Sequence, residues 1–307
     1  MRIHNPAKFI STFLLVIAAA MLFALTWHYG DPLTKDGSIA AVLTEYSDAT
    51  GAQAMFYTLR TREGLVVIDG GAAANSEYVR AVIKDLGDHV NCWIITHGHP
   101  DHVGAFNVIY NDPQSMTIDS VITTDFDLDK YHELCNWWDE PEYYDTFMSL
   151  VKDEEGEYKS SVVTTRAGDE LLVCGLKIDV FSSYTDVKED YGDDIANLGS
   201  LIFKVTAGNS SILFTSDVHN NRDIYGDLVV KYGKKLQADY LQMGHHGNNS
   251  CPKEFVEVVK PYEAFMDCPE GFFESGDYDS AANREMLQDL GIEVHSYGTA
   301  PNEIYMR

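Results

Sequence analysis

Residues 96–105 read Thr-His-Gly-His-Pro-Asp-His-Val-Gly-Ala, placing His97, His99, Asp101 and His102 on one short loop after the apolar run Cys92–Ile95. Neutral imidazole is the commonest protein ligand for metals and suits zinc. His97 and His99 alternate along an extended turn, so both can face the same way. Pro100 then bends the chain before Asp101 and His102. Four such donors exceed what one tetrahedral ion with a catalytic water takes. They fit two adjacent ions, each drawing two ligands from this loop. A polar surface turn is the bland alternative, and a buried strand leading straight into the cluster argues against it.

Elements must hold that loop. Ile39–Tyr46 and Ala52–Leu59 read as strands, and Leu65–Ile68 as a short apolar strand ending in Asp69-Gly70-Gly71. Ser76–Leu86 has helical spacing, and Asn91–Thr96 is a buried strand that delivers the histidines at its C-terminal end. Further strand-like runs are Ile118–Thr124, Ser161–Thr165, Glu170–Val173, Leu176–Ser182, Leu198–Thr206 and Ser211–Thr215. Turn chemistry at 61–64, 167–169 and 207–209 joins several of them. Helical patterns cover 220–232, 252–259 and 280–290, with another centred on Glu140–Lys152. Strands interleaved with helices and hairpins predict a layered, mixed α/β body rather than a purely parallel sheet.

Composition bounds the class. The 307 residues, 45% hydrophobic, suffice for one large core or at most two domains. A formal net charge of −26 disfavours non-specific nucleic-acid binding through a basic face. Bound metal would still invert the field locally. Cys92, Cys135, Cys174, Cys251 and Cys268 are scattered without a CxxC pair, which excludes a zinc ribbon or a disulfide-dense scaffold and leaves room for one or two bridges.

Phe9–Trp27 carries no charge, Pro or Gly, and is about long enough to cross a ~30 Å hydrocarbon core. Arg2 and Lys8 precede it, which keeps the N-terminus cytoplasmic and puts the body outside. A cleaved signal peptide with Ala18-Ala19-Ala20 at its cleavage site is the alternative, and would give a secreted body. The expected organisation is therefore a basic tip and anchor or signal at 1–28, a linker at 29–38, and a catalytic domain at 39–307.

The histidine loop matches the HxHxDH signature and resembles the metallo-β-lactamase-fold hydrolases. Other marks of that family follow in order. Leu65–Gly71 (LVVIDGG) resembles its first motif, and Phe214–Val218 (FTSDV) the strand whose aspartate, here Asp217, bridges both metals. Leu241–Ser250 (LQMGHHGNNS) resembles the later histidine motif. The resemblance implies an αββα four-layer sandwich over about 39–307, behind an N-terminal transmembrane helix.

One departure is informative. Many members carry a ligating histidine between the first cluster and the bridging aspartate, yet none occurs here between His132 and Asp217. Asn197-Leu198-Gly199-Ser200 stands at that place. With the later His-His-Gly, this pattern resembles the exported domain of competence-type ComEC proteins and the phosphorylcholine esterases of bacterial surfaces. Classical β-lactamases and glyoxalase II do not share it.

The resemblance implies that His97 and His99 bind a first metal, Asp101 and His102 a second, and Asp217 both, with His245, His246 or both completing the set. Water, Asn197 or one of that histidine pair could be the first metal's third ligand, with Ser200 beside it. Asp69 is placed to orient a histidine N–H from outside the ligand shell. The cofactors implied are two divalent ions, zinc first, with manganese or iron as alternatives. A hydroxide they hold would be the nucleophile at neutral pH. Asp101, His245 and His246 would stand nearest the reaction, and whichever of the two histidines does not ligate could act on the leaving group. His219 reads as a helix-start residue or as support for the site, and His295 as packing on a strand.

Residues 125–158 are rich in acids and aromatics: Tyr131, Trp137, Trp138, Tyr143, Tyr144 and Phe147. They read as an amphipathic helix packed on a sheet, or as a substrate wall suited to quaternary ammonium through cation–π attraction. The expected function is an exported dinuclear-metal hydrolase of phosphodiester-type substrates: a phosphorylcholine ester, a surface polymer or nucleic acid. The alternatives are a carboxyl-ester or lactone hydrolase on the same metals, or a membrane-tethered metal-binding protein without turnover. No protein partner is inferable.

Overall fold

A computed structural model describes residues 31–307 apart from 49, 125, 137, 153–159, 188–193, 277 and 298–299. The expected membrane segment at 9–27 lies outside the described residues, as does Trp137. Among the described residues no helix is long and apolar enough to cross a membrane.

Two seven-stranded sheets face each other. The first runs Asn302–Met306, Ala41–Glu45, Phe56–Thr61, Leu65–Asp69, Cys92–Ile95, Ser120–Thr123, Ser161–Thr164. It is antiparallel up to the strand ending at Asp69 and parallel beyond it. The second runs Glu293–Tyr297, Glu263–Pro269, Tyr240–Gln242, Ser210–Phe214, Ile202–Ala207, Leu176–Ser182, Glu170–Val173, parallel at the first end and antiparallel at the other.

The inner faces meet in one core that includes Leu43, Tyr57, Ile68, Ile94, Phe203, Ile212, Phe214 and Phe265. Helices Ser76–Asp85, Pro100–Asn111 and Glu142–Lys152 cover the outer face of the first sheet, contributing Val79, Val103, Phe106 and Phe147 to a second core. Helices Arg222–Tyr232, Lys253–Val259 and Ser280–Asp289 cover the other outer face, through Ile224, Tyr225, Phe255 and Leu287. Apolar burial on both faces explains why the strands Leu65–Asp69 and Cys92–Ile95 read as continuous apolar runs rather than alternating ones.

The strands read from the sequence fall within a few residues of observed ones, but Tyr240–Gln242, Glu263–Pro269 and Asn302–Met306 are not among them, and two segments differ. Residues 100–111 form a helix where the histidine loop reads as a turn, so Asp101 and His102 sit in its first turn with Pro100 opening it. Residues 198–201 are not strand: Ile195–Leu198 is a short helix, and the strand begins at Ile202. All five cysteines are free.

The stretch after residue 30 packs on the body. Asp31 caps helix Pro32–Lys35, and Leu33 is buried with Ile39 and Val42. The Arg62 guanidinium donates to the Leu33 carbonyl, and Arg60 pairs with Asp31.

Candidate metal centre

Each motif ends a strand. Asp69 closes one strand and His97 follows the next, while Asp217 and His246 follow two neighbouring strands of the second sheet. The donors therefore converge at one end of the sandwich, four from the first sheet and two from the second.

Asp69 organises the first half. Its Oδ1 accepts from Thr96 N at 2.8 Å; its Oδ2 accepts from Thr96 Oγ1 at 2.6 Å and from His102 Nδ1 at 2.7 Å. The Thr96 hydroxyl, having donated to Asp69, is left to accept from His97 Nδ1 at 3.2 Å. His99 Nε2 donates to Asp139 Oδ1 at 3.0 Å. These partners assign the tautomers: the proton lies on the outward nitrogen of each ring, leaving a lone pair on Nε2 of His97 and His102 and on Nδ1 of His99. Gly98 lets the loop pass under the Tyr144 ring, because a Cβ there would stand 2.7 Å from it.

Asp217 occupies the centre. Its Oδ2 lies 3.1 Å from His102 Nε2, 3.2 Å from His246 Nε2 and 3.9 Å from His97 Nε2. His246 Nε2 is also 3.2 Å from Asp101 Oδ2. Two sets of donors result, His97–His99–Asp217 and Asp101–His102–His246, each with ligand atoms within 4.8 Å of one another. Asp217, counted in the first, also touches His102 and His246 of the second.

Several site residues adopt left-handed backbone, which is unfavourable for non-glycine residues. Asp69 and Ser216 have φ of 49°, His245 of 51° and His246 of 56°. His246 points into the cluster, whereas His245 belongs to neither donor set, its ring centroid 6.2 Å from that of His246.

Charge in the cluster is finely set. Burial depresses His97 well below an ordinary histidine, helped by His102 and His99. Burial also opposes charge on His102 and His246, but Asp217 outweighs it and raises both, His246 to about 10. Burial would raise the Asp217 carboxyl, yet His102 and His246 hold it well below the carboxylate range.

Of the other residues singled out by sequence, Asn197 bonds Asp194 through Nδ2, and its Oδ1 is buried without a hydrogen-bond partner among the described residues. Ser200 Oγ donates to the Asn197 carbonyl. His219 faces Asp194 at 3.4 Å and stands outside both donor sets. His295 pairs with Glu263 and stacks on Phe265, a packing role. Tyr131, Tyr144 and Phe147 are core residues, whereas Tyr143 is partly buried and Trp138 is 49% exposed. Sequence reading missed Asp139, which is fully buried. Its only signal is its place in the acidic, aromatic stretch.

A family model described as the metallo-beta-lactamase superfamily matches residues 49–113, which hold Asp69 and the whole histidine loop. Over those residues the chain is similar to that superfamily. The competence protein ComA of Neisseria gonorrhoeae is 29% identical over 96 residues, 31% of this chain. Those residues span only 13% of that relative's length. The metallo-β-lactamase-fold protein YhfI of Bacillus subtilis superposes with TM-score 0.53 at 13% identity, over 86% of this chain and all of its own. CmlA, a diiron β-hydroxylase from Streptomyces venezuelae, gives TM-score 0.53 at 13% identity, over 87% of this chain and 54% of its own. Both likenesses concern the fold.

The residues of this metallo-β-lactamase-fold chain fit divalent metal. Among the described residues, His97 Nε2 and Asp217 Oδ1 are buried with no hydrogen-bond partner, an arrangement that costs free energy unless something else takes the lone pairs. Without a metal the two carboxylates are balanced by protons on His102 and His246, which a divalent ion bound there would displace.

Proposed function

We propose that the chain is a dinuclear-metal hydrolase acting on phosphodiester-type substrates. The observation that carries the dinuclear reading is the position of Asp217, in contact with both donor sets. His97 and His99 would hold one ion, Asp101, His102 and His246 the other, and Asp217 both. Divalent metal bound there supplies Lewis acidity and lowers the pKa of water to around 7. Asp69 and Asp139 keep the ligating nitrogens unprotonated and aimed. His245, free of the ligand set, is the residue left to donate a proton to a leaving group. Zinc suits the imidazole-rich set, with manganese or iron as alternatives.

The phosphodiester assignment is supported by the absence of a histidine between His132 and Asp217, by the Asn197–Ser200 pattern and by the ComA match. Export and anchoring through residues 9–27, ahead of a catalytic domain over 39–307, are supported by the apolar N-terminal segment. The purified body would be assayed on bis-p-nitrophenyl phosphate, p-nitrophenyl phosphorylcholine and a lactone, with and without chelator. Chelator-sensitive turnover of the phosphodiesters is expected. Turnover of the lactone alone would reject the phosphodiester reading, and bound metal without any turnover would reject catalysis.

A further inference from the structure

Asp217 stands where it does because of residues to which the sequence motifs assign no role. Gln242 is fully buried on the strand beside the one that leads to Asp217. Its Oε1 accepts from the backbone N–H of Thr215 at 3.0 Å and of Ser216 at 2.7 Å. Its Nε2 donates to Met243 O at 2.8 Å, Asp267 Oδ2 at 2.9 Å and Ser216 O at 3.2 Å. Donors crowd one end of the amide and acceptors the other, so its orientation is fixed. Ser216, immediately before Asp217, is in the left-handed region, and its carbonyl also accepts from His245 N at 2.9 Å. One side chain thus grips the loop carrying Asp217 and the loop carrying His246.

Behind Gln242 lie two more buried groups. Asp267 Oδ1 accepts from the Tyr57 hydroxyl, which is also 3.4 Å from Glu45 Oε1. Glu45 arrives from the opposite sheet, and Asn302 Nδ2 donates to its Oε2. Burial and the neighbouring Asp267 push the Glu45 carboxyl well above its ordinary range, and burial raises Asp267 too, so the pair keeps a proton while Asp267 Oδ2 accepts from the Gln242 amide.

We propose that Asp267, acting through Gln242, positions Asp217 between the two donor sets, making the pair positioning residues for the shared carboxylate. The proposal rests on the dinuclear reading above.

Manganese(II) is the probe, because two ions sharing a carboxylate give a spin-coupled electron paramagnetic resonance signal that separate ions do not. Gln242→Glu is nearly isosteric, keeps an acceptor for Thr215 and Ser216, and sets oxygen against three oxygens. With a folded chain by circular dichroism, it should lose the coupled signal and bind the weaker manganese on the order of 10–100-fold less tightly. A wild-type coupled signal with affinity within twofold would overturn the proposal. If Gln242→Glu does not fold, Asp267→Asn decides on the same two outcomes. A wild-type protein that binds fewer than two manganese ions would overturn the dinuclear reading itself, and this inference with it.

Discussion

His102 Nε2 lies 3.3 Å from His246 Nε2, although 144 residues separate them in the chain. His102 donates its other nitrogen to Asp69, so its Nε2 presents a lone pair to His246, with Asp217 Oδ2 beside both. Such a contact calls for a cation. His246→Ala should release one of two metals per chain and lower turnover at least on the order of 100-fold, the upper effect of residues that merely support a ligand. His245→Ala should keep both metals yet lose on the order of 10²–10⁴ in turnover, the contribution of general acid–base catalysis. Elemental analysis of the two variants separates these roles; metal loss from His245→Ala would reverse them.

Asp139 should matter as a support. It accepts from His99 Nε2 and, through its other oxygen, from Asn136 N, so the imidazole is held in one tautomer. Asp139→Ala frees the ring to turn. Metal affinity should fall on the order of 10–100-fold while the melting temperature of the metal-loaded protein changes little. Titration with a competing chelator reads the first quantity and calorimetry the second.

Glu45 gives the protein a pH-dependent stability. Its carboxyl titrates well above the ordinary carboxylate range in the fold, chiefly through burial and next through Asp267. The native state therefore holds the proton longer than the unfolded chain. This contribution is complete below the unfolded pKa and is lost as pH rises through the folded one. Within that window the loss approaches roughly 1.4 kcal/mol per pH unit. Glu45→Gln should remove that slope. Urea unfolding of both proteins across a pH series tests this, and parallel curves would refute it.

Helix Pro100–Asn111 depends on a residue without a side chain. A Cβ on Gly104 would stand 2.5 Å from Ala73 N and 3.0 Å from Ala72 C, backbone atoms with no freedom to swing aside. Gly104→Ala should cost about 1–3 kcal/mol by overpacking. At ~2–4 °C per kcal/mol for a chain of this size, a melting scan would show a drop of several degrees. The same shift strains the hydrogen bonds from Gly70 N to His102 O and from Ala105 N to Gly71 O, so metal binding should weaken too.

What could be read from the sequence is what local chemistry dictates. Apolar runs such as Leu65–Asp69 and Cys92–Ile95 announce buried strands, and the acids and imidazoles at their ends announce the site. The helix from Pro100 could not be read because it is buried almost all round, from His102 through Asn107 and again at Ile109 and Tyr110, which erases any polar face. Nor could sequence choose between His245 and His246, since the choice lies in two left-handed backbone angles of adjacent residues. Asp139, Gln242 and Asp267 act over distances that no spacing records, 40 residues in the case of Asp139 and His99.

The halves of the centre arrive on different sheets: His97, His99, Asp101 and His102 on one, Asp217 and His246 on the other. A cation seated between them is consequently a clasp that joins the two layers at that rim, beyond the polar tie from Tyr57 to Asp267 deeper in the sandwich. Stripping it would loosen the hinge line along that rim before anything else unravels, and backbone amides there would surrender their protons to deuterium first.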